Sequence, residues 1–275
     1  MWTLSGFADE ISPDLDEQVA LLQRLGLRYL ELRSAWDVNV LDLDGEQLAR
    51  AETTLADAGI RVSSIGSPLG KIAVDEDFEP HLERARHAVD VAHRFGAPYI
   101  RIFSFFIPEG QDPDDHREEV LRRMRALAEV AAAGDVVMLH ENEKAIYGDI
   151  PRRCLDIVES VDSPHLRLAW DAANFVQVGV RPHSEGYRML RPYLEYVQIK
   201  DATMDTGEVV TTGRGDGEVA DTIRALRDDG FDGFFSLEPH LSQAHELGGF
   251  SGPDLFTEAH TAFTDLLKAE GIEYR

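Results

Sequence analysis

The segment Gly134-Asp135-Val136-Val137-Met138-Leu139-His140-Glu141-Asn142-Glu143 decides how this chain folds. A glycine closes a helical pattern, four apolar residues follow without alternation, and a burst of polar residues comes next. The apolar run is too short for a helix. Its lack of alternation suits a strand buried on both faces, as parallel strands are. Working outward, runs of the same kind occur at 3–7, 29–32, 61–65, 99–103, 136–139, 166–170, 196–199 and 234–237. That makes eight.

The intervening segments carry helix punctuation. Ser12-Pro13-Asp14 offers an N-cap, a proline at the first helical position and an acid in the first turn. Val19, Leu22 and Leu25 then repeat at helical spacing up to Gly26. Gly59, Gly96, Gly134 and Gly230 stand just before later strands and Gly271 ends the last helix, placements that fit helix closure in the left-handed conformation. Strict β–α alternation predicts a parallel sheet covered by helices. Eight units favour a closed (β/α)8 TIM barrel, one α/β domain over 1–275, rather than an open doubly wound sheet. The stretches 106–116 and 241–253 read as long rim loops.

Composition narrows the function. With 51 acids against 27 bases the chain carries a formal charge of −24. That argues against nucleic-acid partners and anionic membrane surfaces, both of which need clustered Lys and Arg. A solvated acidic surface accounts for the charge without any function. The one cysteine, Cys154, excludes an internal disulfide and sits in a helix-like apolar pattern, so a buried structural thiol is expected in a reducing compartment. The N-terminus has no basic region followed by an apolar run, and no uncharged apolar stretch reaches about 18 residues. A cytoplasmic location is expected.

Chemistry in such a barrel gathers at the C-terminal ends of the strands. Those ends supply Asp9 and Glu10, Glu31 and Arg33, Ser64 and Ser67, Arg101 and Ser104, His140 to Glu143, Asp171 and Asn174, Gln198 to Asp201, and Glu238 with His240. Three acids, Glu141, Asp171 and Glu238, each follow directly on an apolar strand. Three carboxylates converging on one axis repel strongly in a low dielectric, and a divalent cation relieves that. Oxygen ligands favour Mn²⁺ or Mg²⁺; an added nitrogen ligand widens the choice to Co²⁺ or Zn²⁺. A single strand-end acid has a plainer use, capping a helix or pairing with Arg101 or Lys200.

The runs His140-Glu141-Asn142-Glu143, Trp170-Asp171-Ala172-Ala173-Asn174-Phe175, Val197-Gln198-Ile199-Lys200-Asp201 and Leu237-Glu238-Pro239-His240, in this order, resemble the sugar phosphate isomerase/epimerase family of xylose isomerase-like barrels. The resemblance covers essentially the whole chain. It implies a divalent metal held by Glu141, Asp171, the strand-7 position and Glu238, with Glu141 and Glu238 also forming the acid/base pair. At strand 7 the sequence departs from the family: Gln198 stands where relatives carry His, so ligation there would fall to an amide oxygen. Asn174 likewise stands where relatives often bind substrate through His. Lys200, His240, Glu31 and the inward-facing Arg101 complete the substrate-binding candidates. Thr212-Gly213-Arg214-Gly215-Asp216-Gly217-Glu218 matches no phosphate-loop or dinucleotide pattern and reads as a rim loop.

The resemblance thus implies a sugar isomerase or epimerase acting on a small keto-sugar, polyol or sugar phosphate by proton transfer between two glutamates, with a homodimer possible. An inosose dehydratase-like lyase shares the first step. A non-catalytic sugar-binding relative without a tight metal site is a further alternative, suggested by Gln198. A metal nuclease acting on abasic DNA is disfavoured by the charge.

Overall fold

The computed structural model describes residues 1–245 and 248–275. The eight expected runs form one parallel sheet: β1 (Thr3–Gly6), β2 (Tyr29–Leu32), β3 (Arg61–Ile65), β4 (Tyr99–Ile102), β5 (Val137–Glu141), β6 (Leu166–Asp171), β7 (Leu194–Ile199) and β8 (Phe234–Leu237). Their order in the sheet is β1-β8-β7-β6-β5-β4-β3-β2, all neighbours parallel. Between β2 and β1 the parallel bridge Phe7↔Glu31 closes the seam, which makes a (β/α)8 TIM barrel.

Around it lie α1 (Leu15–Leu25), α2 (Gly45–Ala58), α3 (Glu79–Phe95), α4 (Arg117–Ala133), α5 (Pro151–Val161), the short α6 (Ala172–Gln177), α7 (Val219–Asp228) and α8 (Gly252–Ala269). No helix among the described residues is long and apolar enough to cross a membrane.

Two details of the helix ends differ from expectation. The cap of α1 is Asp14, not Ser12, because the Asp14 carboxylate accepts from the N–H groups of Asp16 and Glu17. Ser12 instead accepts from the Asp14 N–H and donates to Glu17. Gly26, Gly59, Gly96, Gly230 and Gly271 are left-handed as expected, but Gly134 has φ −94° and Asp135 takes the positive φ in its place. Gly134 is required for closeness instead: a Cβ there would lie 2.3 Å from a Val89 methyl.

Inside the barrel the strand pleat sorts side chains into layers. Leu139, Ala169 and Tyr196, with Tyr99, Val137 and Phe234, fill the N-terminal end as a cluster separate from the core under the helices. Above them the hydroxyls of Ser5, Ser63 and Tyr196 bond to one another at 2.6 and 2.9 Å. The next inward position on each strand lies at the C-terminal mouth.

Rim loops finish the mouth. The segments after β3, β4 and β5 are zipped together by backbone bonds from Phe105 N–H to Gly70 O, Phe106 N–H to Ile72 O and Ile107 N–H to Ala145 O, each 2.9 Å. The Gly-rich stretch after β7 wraps the Asp201 carboxylate, which accepts from the N–H groups of Ala202, Gly213, Gly215 and Gly217. At Gly215 a Cβ would lie 2.4 Å from Ala202 O and from Asp201 itself, so only glycine admits this close approach. Within the expected rim loop 106–116 lies a tight helical turn, Pro113–His116. The loop over 241–253 contains the antiparallel pair Gln243–His245 and Gly248–Phe250; residues 246 and 247 lie outside the described residues.

Candidate active site

Strand parity delivers the three acids. Val137, Leu139 and Glu141 face inward from β5, and Phe234, Ser236 and Glu238 from β8. Asp171 ends β6. One carboxylate oxygen from each of Glu141, Asp171 and Glu238 lies within 4.8 Å of the others, and the residues are 2%, 0% and 2% exposed. Oxygens at about 2.0–2.6 Å from one ion are at most about 5 Å apart, so this set could hold a divalent cation. Gln198 adds to the fit, since its Oε1 is buried without a hydrogen-bond partner among the described residues. A second group of this kind, Glu10, Glu238 and His240, shares Glu238.

Cations of the chain meet the same carboxylates. Lys200 Nζ lies 2.7 Å from Asp171 Oδ2 and 3.1 Å from Glu238 Oε2. Arg101 reaches Glu141 at 3.3 Å and Glu238 at 3.4 Å, and Arg33 reaches Glu238 at 3.1 Å and Asp9 at 2.7 Å. The Asp171 Oδ1 accepts from the Asn174 N–H and so also caps α6. Helix capping and ion pairing, the plainer uses of strand-end acids, are therefore both present alongside convergence.

These surroundings drive the two glutamates apart in acidity. Burial holds the Glu141 carboxyl well above its ordinary value, against the pull of Arg101. Burial acts the same way on Glu238, yet Lys200, His240 and Arg101 outweigh it and hold that carboxyl well below the usual range. Burial pushes Asp171 up to about 6 against Lys200. The His240 imidazole is lowered to about 4 by burial, opposed by Glu238, and is neutral at pH 7.

A cavity of about 470 Å³ opens over the site, and Asn174, Lys200 and His240 line it with Lys71, Phe106 and Glu143. Asn174 donates to Glu141 at 3.3 Å and to Asn142 O at 2.9 Å. His240 Nε2 is 3.4 Å from Glu238 and 3.3 Å from Glu10, on a backbone with φ +47°. Glu31 and Arg101 are not on this cavity. Glu31 is buried and accepts from Gln198 Nε2 at 3.0 Å, whereas Arg101 lines a neighbouring cavity with Asp9, Arg33 and Lys71. His140 turns outward and bonds to Ser104, and Cys154 is buried on α5.

Sequence reasoning gave no role to three residues that shape the site. Arg33 shares the inward parity of Glu31, which was the available signal. Glu10 follows β1, accepts from the His240 N–H at 2.8 Å, and is raised to about 8 by burial. Lys71 comes from a rim loop whose path no periodicity encodes.

Two curated relatives match in part. A 3-dehydroshikimate dehydratase of Bacillus anthracis is 23% identical over 176 residues, 64% of this chain and 62% of that protein. A 2-epi-5-epi-valiolone 7-phosphate 2-epimerase of an Actinoplanes species is 32% identical over 138 residues, 50% of this chain and 49% of that protein. The matched regions thus span about half to three fifths of these relatives. Among solved structures, a xylose isomerase-like TIM barrel protein of Mycobacterium smegmatis in complex with magnesium superposes with a TM-score of 0.72 at 21% identity, covering 98% of this chain and 97% of that one. The family model for the xylose isomerase-like TIM barrel matches residues 19–263, and the chain belongs to that family.

Proposed function

We propose that the chain is a sugar isomerase or epimerase acting on a small keto-sugar, polyol or sugar phosphate, with Glu141 and Glu238 as its proton-transfer pair. The observation that carries this reading is the convergence of Glu141, Asp171 and Glu238 beneath an open cavity. Two carboxyls facing one substrate supply the acid and the base of a proton transfer. Glu238 takes the proton from the carbon beside the substrate ketone, and Glu141 returns one. Delivery to the opposite face of the same carbon gives an epimer; delivery to the neighbouring carbon gives the aldose–ketose isomer. Exchange with water then resets both groups. Asn174 orients Glu141, Arg101 holds both glutamates from below, and Lys200 and His240 meet the substrate's hydroxyls.

Glu141, Asp171, Glu238 and the Gln198 amide oxygen are the residues that would hold a divalent metal, which when bound supplies a Lewis acid to the ketone and adjacent hydroxyl. The oxygen donors suit Mn²⁺ or Mg²⁺, as does the magnesium complex of the M. smegmatis protein. Lys200 spans two of these carboxylates, so its ammonium must yield Asp171 to a bound ion. That competition, together with Gln198 at the strand-7 position, favours a sugar-binding protein without a tight metal site. The dehydratase relative supports a lyase variant, in which loss of hydroxide follows the same proton removal.

The test is incubation of the Mn²⁺-loaded protein with D-fructose, D-tagatose and their phosphates in D₂O, followed by NMR. Deuterium is expected at the carbon beside the ketone together with an epimer or aldose. Water loss from the substrate would move the protein to the lyases. No exchange with any of them, together with no Mn²⁺ binding by calorimetry, would refute the catalytic reading.

A further inference from the structure

The sequence places Glu31 among the substrate-binding candidates, yet it does not line the cavity over the candidate site. It is 1% exposed, on β2, where its bridge to Phe7 closes the barrel seam. Its Oε2 accepts a hydrogen bond from Gln198 Nε2 at 3.0 Å. Between β2 and β7 the sheet carries β1 and β8, so this bond crosses the barrel interior and owes nothing to strand pairing. Gln198 is itself 1% exposed, and its register partners are Asp171 on β6 and Ser236 on β8. Register partners on adjacent strands share a face, so the amide stands on the inward face beside Asp171.

A glutamine amide has two ends of similar shape, one a donor and the other an acceptor. Only the oxygen can ligate a cation, and the NH₂ end repels it. The bond to Glu31 tells the two ends apart. Turned the other way, the amide would set its own oxygen 3.0 Å from a carboxyl oxygen. As placed, Nε2 is engaged by Glu31, and Oε1 stays buried without a hydrogen-bond partner among the described residues. A carboxylate that holds a histidine ligand by its far nitrogen orients an imidazole in the same manner. Loss of such a partner typically costs about 10–100-fold in metal affinity.

We propose that Glu31 is a positioning residue, which fixes the Gln198 amide with its oxygen turned to the ion that Glu141, Asp171 and Glu238 would hold. This rests on the metal site of the isomerase reading. Two measurements test it. The first is NMR of the metal-free protein labelled with ¹⁵N-glutamine, in which Gln198→Leu identifies the Gln198 side-chain NH₂ signal. That NH₂ is expected to be shifted downfield and protected from exchange with water. Glu31→Gln can offer either end of its own amide to Gln198, and is expected to remove both properties. The second is calorimetric titration of Mn²⁺. Glu31→Gln should bind it about tenfold more weakly than the wild type. Added to Gln198→Leu, the same change should cost nothing further, because there is no amide left to orient. A mere loss of negative charge, or a general loosening of the barrel, would weaken binding equally in both backgrounds. An NH₂ signal unmoved by Glu31→Gln, equal Mn²⁺ affinities for Glu31→Gln and the wild type, or an equal loss in both backgrounds overturns the proposal. A wild-type protein with the shifted, protected NH₂ that binds no Mn²⁺ would bear out the fixed amide and count against the isomerase reading alone.

Discussion

Replacing Lys200 with methionine should destabilise the protein and at the same time make it respond more strongly to divalent metal. Methionine keeps most of the lysine stem and removes the ammonium, which lies 2.7 Å from Asp171 and 3.1 Å from Glu238. Two nearly unexposed carboxylates then face each other without their shared counter-charge. Removing one partner from a buried ion pair costs about 3–5 kcal/mol. For a chain of this size about 1 kcal/mol moves the melting temperature by about 2 °C, so a fall of roughly 6–10 °C is expected in EDTA at pH 8. At pH 5 the deficit should shrink, because Asp171 already sits near 6 with Lys200 beside it and goes higher without it, so it takes up a proton. A divalent ion no longer competes with the ammonium, and each tenfold gain in affinity adds about 1.4 kcal/mol at saturating metal. The assay is thermal unfolding of both proteins in EDTA and across a Mn²⁺ series. If the variant melts with the wild type in EDTA, or its Mn²⁺ response is no larger, the reasoning about Lys200 fails.

Glu238→Gln removes the ionised base at nearly constant volume, and turnover of an identified substrate should fall by about 10²–10⁴. A drop under tenfold would show that Glu238 transfers no proton. Gln198→His should tighten Mn²⁺ binding in calorimetry, because an inward imidazole is a better ligand for first-row cations than an amide; equal or weaker affinity would exclude this position as a ligand. Glu10 is raised from 4.5 to about 8, so the stability linked to its neutral form is complete below pH 4.5 and lost as the pH rises through about 8. His240, lowered from 6.5 to about 4, works in the opposite sense, with stability present above 6.5 and lost as the pH falls through about 4. Glu10→Gln should therefore flatten the alkaline limb of a melting-temperature profile between pH 5 and 8.5. Parallel profiles for variant and wild type would mean that Glu10 does not carry this effect.

Eight apolar runs in the sequence were enough to specify the barrel, since a strand buried on both faces is mostly apolar along its length and its signal is therefore local. Their places directly after three apolar strands, at the end where such barrels gather their chemistry, made Glu141, Asp171 and Glu238 legible as a converging set. Helix ends were read less well, as at Asp14 and Asp135, because a serine or a glycine one or two residues away satisfies the same rule. What only the tertiary structure decided was the charge state of the site. Lys200, Arg101 and Arg33 come from three different strands, and their distances to Glu238 follow from barrel curvature and rim-loop paths that no periodicity records. The separation of Asn174, Lys200 and His240 from Glu31 and Arg101 was decided in the same way. Coulomb energy depends on through-space distance in a buried medium, and sequence separation carries none of that information.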